Sequence, residues 1–120
     1  MDQTPLNPVQ VEQEIHFLAN EIARGIPIVS DAEKAMVDAK RHLDREIAQA
    51  TLEAKGTVMD RQAQVELATE AAREEYDIAY IAYRHAERTA KSLDSRLRAI
   101  QSIGASVRSM YGVAGRGEGA

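Results

Sequence analysis

Two apolar series run through the second half of the chain. Val58, Val65, Ala72, Ala79, Ala86, Leu93, Ile100 and Val107 stand seven apart. A companion series four residues later reads Gln62, Thr69, Tyr76, Tyr83, Ala90, Leu97, Gly104 and Tyr111. Interleaved heptads of this kind place one narrow seam along a single long helix, roughly 80 Å for about 54 residues. The first half carries shorter stripes. Val11, Ile15, Leu18 and Ile22 are spaced four, three and four, and Met36, Ala39, Leu43, Ile47, Ala50 and Ala54 follow further on.

Local signals mark the ends. Asn7-Pro8 with Gln10 reads as a capping box, with proline at the first helical position. Gly25 and Pro27 predict a stop, because proline lacks the backbone donor that a helix interior needs. Ser30 with Glu33 predicts a restart, and Thr57 with Asp60 a third start after Lys55-Gly56. The expected organisation is therefore a flexible stretch 1–7, helices at 8–24, 31–55 and 58–111, and a disordered glycine-rich tail 112–120.

Folding the chain at Lys55-Gly56-Thr57 pairs residue i with roughly 113 − i in an antiparallel arrangement. Ile47 then falls near Val65, Leu43 near Thr69 and Ala72, Met36 near Tyr76, and Leu18 near Leu93 and Leu97. The expected fold is all-α, a long antiparallel helical hairpin of coiled-coil type with its first arm broken at Gly25-Pro27. A three-helix bundle folding back at Gly25–Pro27 is the alternative, but it leaves the seam from Leu93 to Val107 without a partner in the chain.

A two-helix hairpin of this size buries little, which predicts self-association into a dimer or higher assembly. The segment from Tyr76 to Tyr83 shows where. Tyr76 and Tyr83 lie on the seam, whereas Ile78, Tyr80 and Ile81 lie off it, so the stretch is apolar almost all round. The hairpin places it beside the expected break in the first arm, where cover is least.

Composition narrows the chemistry. The 120 residues include no Cys and no Trp, one Phe and four Tyr; thiolate metal sites, disulfides and cysteine nucleophiles are excluded. No segment is long and apolar enough to span a membrane, and the opening residues lack the pattern of a secretory leader, so a cytoplasmic location is expected. The net charge of −4 hides an asymmetry, with 8 Lys/Arg against 16 Asp/Glu in residues 1–83 and 7 against 2 in residues 84–117. Within the basic part, Arg84, Arg88, Lys91 and Arg98 form a stripe that Tyr80 leads into, a pairing of aromatic and cation able to stack a base and hold phosphates of single-stranded DNA.

Catalytic constellations are missing. His16, His42 and His85 fall on separate segments without helical ligand spacing, so no metal or other cofactor is expected. Carboxylate pairs such as Glu70 and Glu74 have no pocket to separate their acidities, and Ser102, Ser106 and Ser109 have no histidine neighbour. The chain is read as a non-enzyme.

Tyr83-Arg-His-Ala-Glu87 matches the Tyr-x-x-x-Asp/Glu pattern of small secreted helical hairpins of actinobacteria. Their Trp-x-Gly turn is absent, and Lys55-Gly56-Thr57 stands in its place, which sets that reading aside. The run Thr51-Leu-Glu-Ala-Lys-Gly-Thr-Val58, then Arg61, Ala68-Thr69 and Tyr83, with the ending from Leu93 to Tyr111, resembles small alanine-rich helical proteins of actinobacterial phages and prophages. The resemblance covers most of residues 30–111. It implies a setting among phage recombination or replication functions, within the host cytoplasm, and assigns no catalytic residue. The reading is an interaction or adaptor protein that binds itself and an unidentified protein partner. Direct binding of single-stranded nucleic acid is the first alternative, and a structural or assembly role in the virion the second.

Overall fold

A computed structural model describes residues 7–118, with side chains through residue 112. Three helices follow one another: α1 (Pro8–Glu53), α2 (Val58–Ala68) and α3 (Glu70–Glu118). The fold is an all-α antiparallel hairpin, and its contacts gather into two units, residues 1–26 with 89–120 and residues 27–88. Residues 1–6 and 119–120 of the predicted flexible ends lie outside the described residues.

The start of α1 is the expected capping box. The Gln10 backbone N–H donates to Asn7 Oδ1 at 2.9 Å, and the Asn7 N–H donates to Gln10 Oε1 at 3.0 Å. The turn also falls where expected. Gly56 holds a positive φ of 107°, which frees the chain to reverse, and Thr57 and Asp60 cap α2 reciprocally. Gln64 fastens the turn from the other side, accepting from the Lys55 N–H at 3.1 Å and donating to the Lys55 carbonyl at 2.7 Å.

The expected break at Gly25-Pro27 does not occur. Helix α1 continues through it with Pro27 inside, and Ser30 and Glu33 are interior residues rather than a cap. The reason lies in phase. Positions 11, 18, 25, 32 and 39 form one heptad series and 15, 22, 29, 36 and 43 another, and every one of these residues is buried or half-buried. A stop and restart would have to recover that phase by chance. Pro27 itself faces solvent, so water can satisfy the carbonyl left without its intrahelical donor.

Two further differences concern α3. The sequence predicts one helix from Val58, but Thr69 interrupts it with φ −104° and ψ 5°. Thr69 is fully buried, and its hydroxyl donates to the Val65 carbonyl at 2.7 Å while accepting from Arg73 Nη2 at 2.8 Å. Such back-bonding competes with regular helix geometry. At the other end α3 continues to Glu118 rather than ending at Tyr111. Gly112 does not adopt the left-handed conformation that would stop it, and adding residues to an existing helix needs no new nucleus.

Packing follows the two predicted series. In the first unit Val11, Leu18 and Ile100 are buried together, with Ile15, Leu93, Leu97 and Val107 packed against them. In the second, Ala39, Leu43, Thr69 and Ala72 are buried. The mirrored pairing holds to within two or three positions. Leu18 shares its cluster with Leu93 and Leu97, and Val11 meets Gly104. At the turn Val58 and Gln62 remain exposed, and the first half-buried seam residue after it is Val65.

Candidate interaction surface

The segment from Tyr76 to Tyr83 divides by face, as a seven-residue repeat requires. Tyr76 and Tyr83 turn inward and are half-buried. Ile78 is 63% exposed, Ile81 66% and Tyr80 44%. The Tyr80 ring lies 6.1 Å from that of Tyr76, tilted by 39°, an aromatic pair that leads from the seam to the surface. The Tyr83 hydroxyl donates to Glu87 Oε2 at 2.9 Å. That bond, and then the Glu87 charge, raises the tyrosine pKa above its ordinary 10.0.

Its surroundings differ from the expectation in one respect. The segment does not sit beside a break in the first arm, since α1 is uninterrupted from Pro8 to Glu53 and Tyr76 and Tyr83 turn inward. Ile78 and Ile81 are exposed because they point away from the seam, not because the arm is missing. Among the described residues sixteen large apolar side chains are exposed, while six apolar residues are buried, two of them alanines. Isolated exposed side chains are ordinary. Ile78 and Ile81, one turn apart on one face, form an exposed apolar pair, whereas Tyr80, two residues from Ile78, stands on another face beside Tyr76.

The basic stripe is less of a unit than its spacing implies. Arg84, Lys91 and Arg98 each follow a seam residue by one position, about 100° round the helix, so they lie with Arg88 on the side away from the seam. Arg84 is half-buried; Arg88, Lys91 and Arg98 are exposed. Arg98 is engaged by Asp94 at 3.0 Å. Tyr80, Arg84 and Arg88 belong to the second unit, and Lys91 and Arg98 to the first.

One feature of the turn end was not anticipated. An open groove of about 530 Å³ lies there, lined by Thr51, Ala54, Val58, Arg61, Val65 and Arg73 among others. Its sequence signal was the run of seam positions Val58 and Gln62 facing an arm that ends at Glu53. Arg73 is held by Thr69 and lies 3.9 Å from Glu66, so the groove wall is fixed by polar contacts of its own. No helix among the described residues is long and apolar enough to cross a membrane.

Compared with models of known protein families, with curated proteins and with solved structures, the chain matches none.

Proposed function

We propose that this chain acts by contact rather than by chemistry, as a helical interaction or adaptor protein. The observation that supports this reading is the exposed pair Ile78 and Ile81, with Tyr80 exposed on a neighbouring face, on a hairpin whose own core is already paired. Burying a side chain such as isoleucine is worth about 1.5–3 kcal/mol relative to leaving it exposed, so a partner covering both isoleucines gains several-fold more than surface charges provide. The phage-like sequence pattern supplies the setting, a role accessory to DNA recombination or replication in a host cytoplasm.

Affinity capture from nuclease-treated host extract tests it. Wild-type chain should retain protein partners that the Ile78→Glu/Ile81→Glu variant loses, with helical content unchanged by circular dichroism. Equal capture by both proteins would remove the patch from the reading.

A second reading, direct binding of single-stranded DNA, draws on Tyr80 standing half-exposed one turn before Arg84. The partial burial of Arg84 weighs against it.

A further inference from the structure

The outward face of α3 in the second unit is close to its own mirror image. At spacings of three and four it reads Ala71, Glu74, Ile78, Ile81, His85 and Arg88, and all six are exposed. A second identical stripe, laid antiparallel about a two-fold axis between Ile78 and Ile81, sets Ile78 of one copy on Ile81 of the other. Glu74 then faces His85, and Ala71 leaves room for the stem of Arg88. Along one border, Asp77 comes beside Arg84 of the other copy, and the symmetry repeats each pair.

Charge selects this orientation. On and beside the stripe the residues before Ile78 are acidic, Glu70, Glu74, Glu75 and Asp77, with Arg73 turned toward the seam. Those after Ile81 are basic, Arg84 and Arg88, with Glu87 turned toward the seam. A parallel pair would set acid on acid and base on base, whereas the antiparallel pair sets each against its opposite.

We propose that this face binds a second copy of the chain, antiparallel, centred between Ile78 and Ile81. The inference rests on reading the face as a contact surface and adds its occupant and its register. Eighteen residues make about five helical turns, an interface at the small end of specific contacts, for which micromolar dissociation is expected.

The full chain tests this directly, since it contains no native cysteine. Glu74→Cys mixed with His85→Cys should give a disulfide joining position 74 to position 85 of another chain, while Glu74→Cys alone should not link to itself. Asp77→Arg and Arg84→Asp should each weaken dimerisation about tenfold by sedimentation, because like charges then meet twice. Combining the two substitutions exchanges the charges and should restore the dimer to within about twofold of wild type. Self-linking at position 74, or no recovery in the combined variant, overturns the register. A wild-type mass of one chain up to about 200 µM overturns the second copy as occupant. Loss of partner capture by Ile78→Glu/Ile81→Glu would still uphold the face as a contact surface, so the two failures can be told apart.

Discussion

Val11 leaves no room for a side chain on Gly104. A Cβ built on that buried glycine would lie 2.8 Å from Val11 Cγ1, well inside contact distance. The glycine sits on the seam of α3 and lets a β-branched residue of α1 press against the opposing backbone. Valine is stiff about χ1, so it cannot swing its methyl aside without strain. The pair thus fixes both how closely the helices approach and which residues meet.

Gly104→Ala is therefore expected to destabilise the hairpin despite improving helix propensity. The propensity gain is about 1 kcal/mol, and overpacking costs about 1–3 kcal/mol. A net loss near 1 kcal/mol should lower the melting temperature by roughly 4–8 °C. Val11→Ala should relieve the clash, so the double variant should be more stable than the two single effects added together predict. Additive effects would show that the two residues do not share the space.

Gly25 gives the opposite expectation because nothing lies within 4 Å of the position its Cβ would occupy. Gly25→Ala should stabilise by about 0.5–1 kcal/mol, through helix propensity and a less flexible unfolded chain. Pro27→Ala restores a helix donor on an exposed face and should add up to about 3 kcal/mol. Thermal melts of both variants check this. A lower melting temperature for Pro27→Ala would mean that the proline stabilises a bend on which the packing depends.

These residues also show how the sequence was readable and where it misled. The seam through α2 and α3 was legible from Val65 to Val107 because two heptad series agree over its whole length. The same agreement exists in α1 through Gly25, Val29 and Ala32, but two local breakers outweighed it. Helix propensity is a weak local term, whereas a seam in constant phase is stabilised by packing at every turn. Thr69 was invisible as an interruption because a threonine on a seam reads as an ordinary small core residue. Arg73, four residues on, carried the clue that its hydroxyl had a partner. The patch at Ile78 and Ile81 was legible for the converse reason, since two isoleucines off the seam have no place within the hairpin. The basic stripe was only half legible, because spacing identifies a common edge but not how far that edge is buried.

Tyr83 offers a test of its bond to Glu87 by titration. The hydrogen bond and the carboxylate charge raise the tyrosine above its ordinary 10.0 in the folded chain, so tyrosinate is disfavoured by folding. The stabilisation is complete below the unfolded-state value and is lost as pH rises through the higher folded one. With Tyr76, Tyr80 and Tyr111 replaced by Phe, absorbance should report ionisation of Tyr83 above its ordinary value. Glu87→Gln removes the charge and should bring the midpoint back down. An unchanged midpoint in that variant would leave the bond without electrostatic consequence.

Single-stranded DNA provides the remaining discrimination, between Tyr80 as a stacking platform and Tyr80 as part of a protein contact. If Arg84 and Arg88 hold phosphates, affinity for an oligonucleotide must fall as salt rises. Replacing either with Gln should then reduce the log–log salt slope by about 0.7. Tyr80→Ala would weaken binding by about 1–3 kcal/mol with little change in slope, because stacking releases no counterions. The contact reading predicts the reverse pattern. If a protein contact covers the exposed Tyr80 beside Tyr76, Tyr80→Ala should shift the mass of the assembly, while Arg88→Gln should leave DNA behaviour as it was. The acidic bulk of the chain, 16 acids against 8 bases through residue 83, opposes phosphate at short range, and the half-buried Arg84 is poorly placed to offset it. The expected outcome is accordingly no retarded band at low salt, together with a Tyr80-dependent assembly. A salt-sensitive shift that Tyr80→Ala abolishes without altering the mass would reverse that assignment.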